Sequence, residues 1–132
     1  MQDIAAKISD SELEVLEVLW EAEEALPIAP IRKRLEERRG WDSSTIKTLL
    51  RRLCEKGAVE ARRRESFYYR PVLNREDYQR WSTRSLIQRV YRGSAKDLVA
   101  SLVRGDQLTD QDLDELRALL GTQRAQEPEQ CQ

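Results

Sequence analysis

Histidine is absent from this 132-residue chain. That removes the side chain that most often serves as a general base near neutral pH and as a zinc ligand. Cysteine is nearly absent too. Cys54 and Cys131 stand far apart, with neither metal-site spacing nor the number a disulfide framework needs, and a reducing cytoplasm is the expected compartment. No run of about 18 apolar residues occurs, so no membrane-spanning helix is expected. The opening MQDIAAKIS lacks the basic-then-apolar order of a signal peptide. There is no glycine-rich loop to cradle a phosphate and no nucleophile beside an evident base, so an enzyme is not expected. Nothing calls for a cofactor or a metal. Apolar residues make up 39% of the chain against 36% charged, enough for a modest core, and domains this small often complete their cores by association.

What is present is charge, unevenly placed. The net of −1 conceals one base and eight acids in residues 1–27, a local −7, and thirteen bases with six acids in residues 28–70, a local +7. A positive field of that kind attracts polyanions, which makes nucleic acid the leading partner.

ISDSELEVLEVLW carries helix-start signals. Ser9 can cap, Glu12 three residues on completes a capping box, and Ile8 and Leu13 can staple. Leu13, Leu16, Leu19 and Trp20 then line one face at helical spacing. Pro27 interrupts, and Pro30 is tolerable only in the first turn of a second helix with Ile31 and Leu35 inside and Gly40 as its stop. Asp42 or Ser43 caps a third helix, in which Ile46, Leu49, Leu50 and Leu53 form a core-facing stripe and Gly57 is the stop. AVEARRRESFYYRPV then reads as two short strands around an arginine-bearing turn, with Pro71 closing the second. The expected fold is mainly α with a small β-hairpin wing: a winged helix-turn-helix.

From Asn74 the texture changes. NREDYQRWSTRSLIQRVYRG reads as a long amphipathic helix with Tyr78, Trp81, Ser85 or Leu86, and Tyr91 inside. SAKDLVASLVRG follows, with Leu98, Val99, Leu102 and Val103 as a packed face. LTDQDLDELRALLG repeats the capping grammar at Thr109 and Asp112, carries the stripe Leu113, Leu116 and Leu120, and is expected to end at Gly121. TQRAQEPEQCQ is polar and expected to be disordered. The expected domains are thus 1–73 for the winged helix and 74–121 for a helical unit, with a tail over 122–132. Three helices of about 45 residues bury their apolar faces poorly alone. A homodimer is therefore expected through Tyr78, Trp81, Leu86, Tyr91, Leu98, Leu102, Leu113, Leu116 and Leu120, the alternative being that these helices fold back on the winged domain in a monomer.

A recognition helix inserts its N-terminal part into the major groove, where side chains reach base edges. That part offers Ser43, Ser44, Thr45, Lys47 and Thr48, short hydroxyls and one long cation suited to mixed base and phosphate contacts. Arg51 and Arg52 follow a turn on, where the helix would cross a phosphate backbone. The wing supplies Arg62, Arg63, Arg64 and Arg70 for phosphates or an adjacent minor groove. Phe67, Tyr68 and Tyr69 are read as packing more than nucleotide stacking, Cys54 as core and Cys131 as functionless. The expected partner is double-stranded DNA. The competing reading, a helical module binding a partner protein through its acidic first helix or its tail, would not need cations confined to the third helix and the wing.

The blocks ISDSELEVLEVLW, WDSSTIKTLLRRLCEKGAVE, FYYRP, VYRGS and LTDQDLDELRALL, in this order and spacing, resemble the BlaI/MecI/CopY-type (penicillinase repressor) family of transcriptional regulators over about residues 8 to 121. The resemblance implies a homodimeric repressor with an N-terminal winged helix and a C-terminal dimerisation domain. Such a repressor binds a palindromic operator and blocks resistance or metal-handling genes. By position it implies that Thr45, Lys47, Thr48 and Arg51 face bases or nearby phosphates. The chain departs from both well-described branches. The penicillinase branch, with a sensor or protease partner, is cut at an Asn-Phe bond where this chain has Ser101-Leu102. The copper branch carries a cluster of paired cysteines where this chain has only Cys131. A packed face around Ser101-Leu102 would bury that bond, so induction is expected to act through a different bond, a ligand or a partner protein.

Overall fold

The computed structural model describes residues 2–126. In chain order the elements are α1 (Gln2–Ala6), α2 (Asp10–Glu21), β1 (Leu26–Pro27), α3 (Ile28–Arg39), α4 (Ser43–Glu55), β2 (Val59–Arg63), β3 (Phe67–Pro71), α5 (Arg75–Val90), α6 (Ala95–Arg104) and α7 (Asp110–Gln126). Their ends follow local chemistry. Ser9 Oγ accepts from the Glu12 amide at 3.2 Å while Glu12 Oε1 accepts from the Ser9 amide at 2.9 Å, so two orphan donors of α2 are satisfied reciprocally. At α4 the cap is Asp42, whose Oδ1 accepts from the Thr45 amide at 2.8 Å. Gly40 closes α3 at φ 68° and Gly57 releases the chain from α4 at φ 81°, both left-handed positions that glycine adopts without strain.

Packing joins α2, α3 and α4 into one core. Val15, Leu16, Val18 and Leu19 meet Ile31 and Leu35 of α3, the full stripe Ile46, Leu49, Leu50 and Leu53 of α4, and Ala58, Val59 and Leu73 beyond it. The leucine stripe read from the sequence is shifted here: Leu13 and Trp20 are half-buried, whereas Val15 and Val18 are fully buried. One charged group joins this core. Glu12, 1% exposed, lies 2.5 Å from Lys56 Nζ, which also donates to the Lys7 carbonyl at 2.7 Å. The hairpin β2–β3 pairs in register from Val59 opposite Pro71 to Arg63 opposite Phe67. A third strand unforeseen in the sequence, β1, pairs with the other side of β3, Leu26 opposite Tyr69 and Pro27 opposite Tyr68.

The chain divides into two units between Ser85 and Leu86, inside α5, rather than at residue 74. The reason lies in one aromatic cluster. Trp20 Nε1 donates to the Leu73 carbonyl at 2.9 Å, the Trp20 and Tyr78 rings lie 6.0 Å apart, and Tyr78 and Trp81 lie 5.8 Å apart. Tyr78 and Trp81 pack against the core of the first unit, so the start of α5 belongs to it.

In the second unit Ser94 caps α6 through the Asp97 amide, and Thr109 and Asp112 form the expected reciprocal box at α7. Two expectations fail here. No residue of α6 is buried: Val99, Leu102 and Val103 are 53%, 38% and 48% exposed, and nothing among the described residues covers that face. Nor does Gly121 stop α7, which continues to Gln126 with Thr122 Oγ1 donating to the Ala118 carbonyl. Without a left-handed turn, a glycine weakens a helix but does not end it. Helix thus replaces the expected disorder over 122–126, and the rest of the expected tail, with Cys131, lies outside the described residues. Among the described residues no helix is long and apolar enough to cross a membrane, and no group of three metal-ligating side chains occurs.

Candidate nucleic-acid interface

The buried stripe of α4 fixes which side of that helix faces outward. Ser44, Thr45, Lys47, Arg51 and Arg52 are exposed, and Ser43 and Thr48 are half-buried. Asp42 stands at the same helix end, but its charge is taken up locally. The Thr45 amide holds the Asp42 carboxyl below its ordinary value. Arg51 lies 3.6 Å from Glu55 at i,i+4, both side chains well exposed, so the pair is weak.

The wing cations sort into two kinds. Arg62 Nε lies 2.6 Å from Glu60 Oε1, and Arg70 grips the same carboxylate from across the hairpin with Nε and Nη2, each at 3.1 Å. Arg70 first and Arg62 second hold the Glu60 carboxyl below its ordinary value. These two arginines therefore share one acid. Arg63 and Arg64, nearer the turn, instead sit over rings, 5.6 Å from the Phe67 centroid and 5.2 Å from that of Tyr68. Among the described residues no carboxylate lies within ion-pair distance of Lys47, Arg52, Arg63 or Arg64. Of the residues singled out on α4 and the wing, these four carry unbalanced positive charge. Arg64 rests on Tyr68 and Arg63 on the exposed Phe67, so both heads are positioned on the wing surface.

Two features of this face were missed from the sequence. Arg39 lies 5.6 Å over the Trp41 ring at the entry to α4. A cleft of about 240 Å³ lies between α4 and the wing, lined by Ile28, Lys47, Ser66, Phe67 and Tyr69. Only the pairing of β1 with β3 brings Ile28 there, a contact no local pattern announces. Phe67 is 47% exposed, whereas Tyr69 packs on the core and Tyr68 is half-buried. Cys54 is half-buried too, and burial, with Glu55 second, pushes its thiol pKa up, away from reactivity.

The residues expected at a dimer contact separate into two groups. Tyr78 and Trp81 are used within the first unit, as above. In the second unit Leu86, Tyr91, Leu98 and Leu113 are half-buried, and Leu102, Leu116 and Leu120 are 38%, 36% and 66% exposed.

Three packed helices, a three-stranded wing and a basic outer face on the third of those helices define a winged helix-turn-helix, a class of domain built to read duplex DNA. The chain belongs to the penicillinase repressor family, whose profile matches residues 8–122. The penicillinase repressor of Bacillus licheniformis is 32% identical over 115 residues, covering 86% of this chain and 89% of that protein. The methicillin resistance regulatory protein MecI of Staphylococcus aureus (strain N315) is 27% identical over 121 residues, 91% of this chain and 98% of that one. The solution structure of the DNA binding domain of the repressor BlaI is 36% identical and superposes with a TM-score of 0.50, covering 55% of this chain and 88% of that one.

Proposed function

We propose that this protein is a transcriptional repressor that binds a palindromic operator as a homodimer and, like the resistance regulators it is similar to, governs resistance or stress genes. The observation that carries this reading is the uncompensated positive charge of Lys47, Arg52, Arg63 and Arg64, set on one helix face and the wing beside it. Thr45 and Thr48 serve base edges, Lys47 and Arg51 bases or nearby phosphates, and the wing arginines phosphates. The decisive experiment is a salt titration of duplex binding. Counterion release makes log K fall with log salt at about −0.9 per phosphate neutralised. A flat response, or no binding at low salt, sinks the reading in favour of a protein-interaction module.

Readout and positioning separate by mutation. Thr45→Ala and Thr48→Ala are expected to weaken operator binding more than binding to generic duplex. Arg63→Ala and Arg64→Ala are expected to weaken both alike and to flatten the salt slope by about one unit each. Anisotropy titrations on the two duplexes check this, and an unchanged specificity ratio in both threonine variants refutes the base-contact assignment.

The homodimer rests on the apolar residues of the second unit: Val90, Val99, Leu102, Val103, Leu116, Leu119 and Leu120 are each more than a third exposed. So many large apolar side chains left in water mark an association surface. A dimer that covers α6 also shields the Ser101-Leu102 bond, so we place the release of the operator in another bond, a ligand or a partner protein rather than in a protease acting there.

A further inference from the structure

We propose that the cleft between α4 and the wing seats the sugar–phosphate backbone of one DNA strand, and that Phe67 selects deoxyribose there. This rests on the DNA-reading assignment above. A helix in the major groove and a wing reaching the neighbouring minor groove are separated by a single backbone strand, which must cross between them. The cleft lies at that crossing, and its about 240 Å³ suits one sugar with its phosphate, not a base pair.

Its lining is divided in the same way as a nucleotide's backbone. Lys47 and Ser66 offer a cation without an acid partner and a hydroxyl, the groups that hold a phosphate. Ile28 opens α3, whose start has no side-chain cap and no acid in its first turn, so the positive end of that helix is not neutralised by its own residues. Ile28 and Tyr69 are fixed by packing on the core. Phe67 is not: the chain's sole phenylalanine stands 47% exposed on a face that otherwise carries cations and hydroxyls. A large ring held in water gains when a bound partner covers it. Among the apolar parts of a strand that pass this point, the C2′ methylene is the one that a ribose lacks. A ribose would bring a hydroxyl against that ring, where it loses water without gaining an acceptor.

The test uses the full chain and a duplex recovered by selection on genomic fragments, with binding read by fluorescence anisotropy. Phe67→Ala is expected to bind both the selected and a generic duplex about five- to tenfold more weakly, with the salt slope unchanged because Arg63, although it loses the ring it rests on, keeps its charge on the wing. Phe67→Leu recovers most of that loss, and Lys47→Met lowers the slope by about one. Single ribonucleotides are then placed one at a time along the duplex. The wild-type chain is expected to lose about fivefold at one position in each half-site, and Phe67→Ala nothing at that position. If circular dichroism shows Phe67→Ala unfolded, Ser66→Tyr decides in its place, since bulk in the cleft should give the same loss at unchanged slope. Wild-type affinity in the deciding variant, a loss accompanied by a changed slope, or a ribonucleotide penalty that persists in Phe67→Ala overturns the proposal. A wild-type chain that binds no duplex at low salt overturns the DNA-reading assignment itself.

Discussion

A fragment ending at Ser85 is expected to fold, to remain monomeric, and to bind a palindromic operator about 10²- to 10⁴-fold more weakly than the whole chain. The loss needs no contact with DNA to be removed. When two readers are joined, the second engages at an effective concentration set by the link, and cutting the second unit away abolishes that gain. The position of the cut matters. A fragment ending at Pro71, where the hairpin closes, would discard Leu73, which is fully buried, and Tyr78 and Trp81, which close over Trp20. Deleting one buried leucine side chain alone costs about 2–5 kcal/mol, a large part of the stability of a small domain. The shorter fragment should therefore melt far below the longer one. Sedimentation and thermal melts of both fragments check this. A dimeric Ser85 fragment, or equal melting of the two, contradicts it.

Among substitutions of charged residues, the largest stability effect is expected at Glu12. Its carboxylate accepts from the Ser9 amide and from Lys56 Nζ while nearly inaccessible to water. Glu12→Ala leaves the Ser9 amide without its acceptor and the ammonium of Lys56, a side chain 28% exposed, without its counter-charge. The expected cost is about 2–4 kcal/mol, read from urea melts at neutral pH. The pH dependence has a definite sign. Burial alone would raise the Glu12 pKa, but the Lys56 hydrogen bond and then the Ser9 amide outweigh it, and the net shift is downward from 4.5. A carboxyl held low in the folded state contributes stability that is fully present above about pH 4.5 and is lost as pH falls through the lowered folded value. Wild-type and Glu12→Ala melts should thus converge on acidification. A gap that stays constant down to pH 2 would show that the loss comes from packing and not from the ionised group.

How much of this was legible follows from how local each signal is. Ser9 with Glu12, Thr109 with Asp112, the α4 stripe and the stops at Gly40 and Gly57 are each decided within a few residues, and the structure reproduces them. The exposed cations of α4 were legible as the reverse side of that stripe, and those of the wing as the arginine run of its turn. What escaped was settled at long range. Leu26 and Pro27 are too few to announce a strand and become one only because Tyr69 and Tyr68 lie across from them. Tyr78 and Trp81 fit the inner side of an amphipathic helix, but periodicity does not say against which body; Trp20, 58 residues before Tyr78, decides that. Arg70 looked as free as Arg63 until the hairpin register set it opposite Glu60, whose carboxylate it shares with Arg62 of the same strand.

The sheet order β1-β3-β2 has a consequence for solubility. A protein at high local concentration on DNA risks strand-to-strand addition between neighbouring copies, because an open sheet edge is a template for another chain. Both edges here resist it. One is a two-residue strand that contains Pro27, which has no amide hydrogen to donate. The other, Val59–Arg63, carries Glu60, Arg62 and Arg63, charges that an incoming strand would have to desolvate. Strand addition through the wing is thus disfavoured at both of its margins.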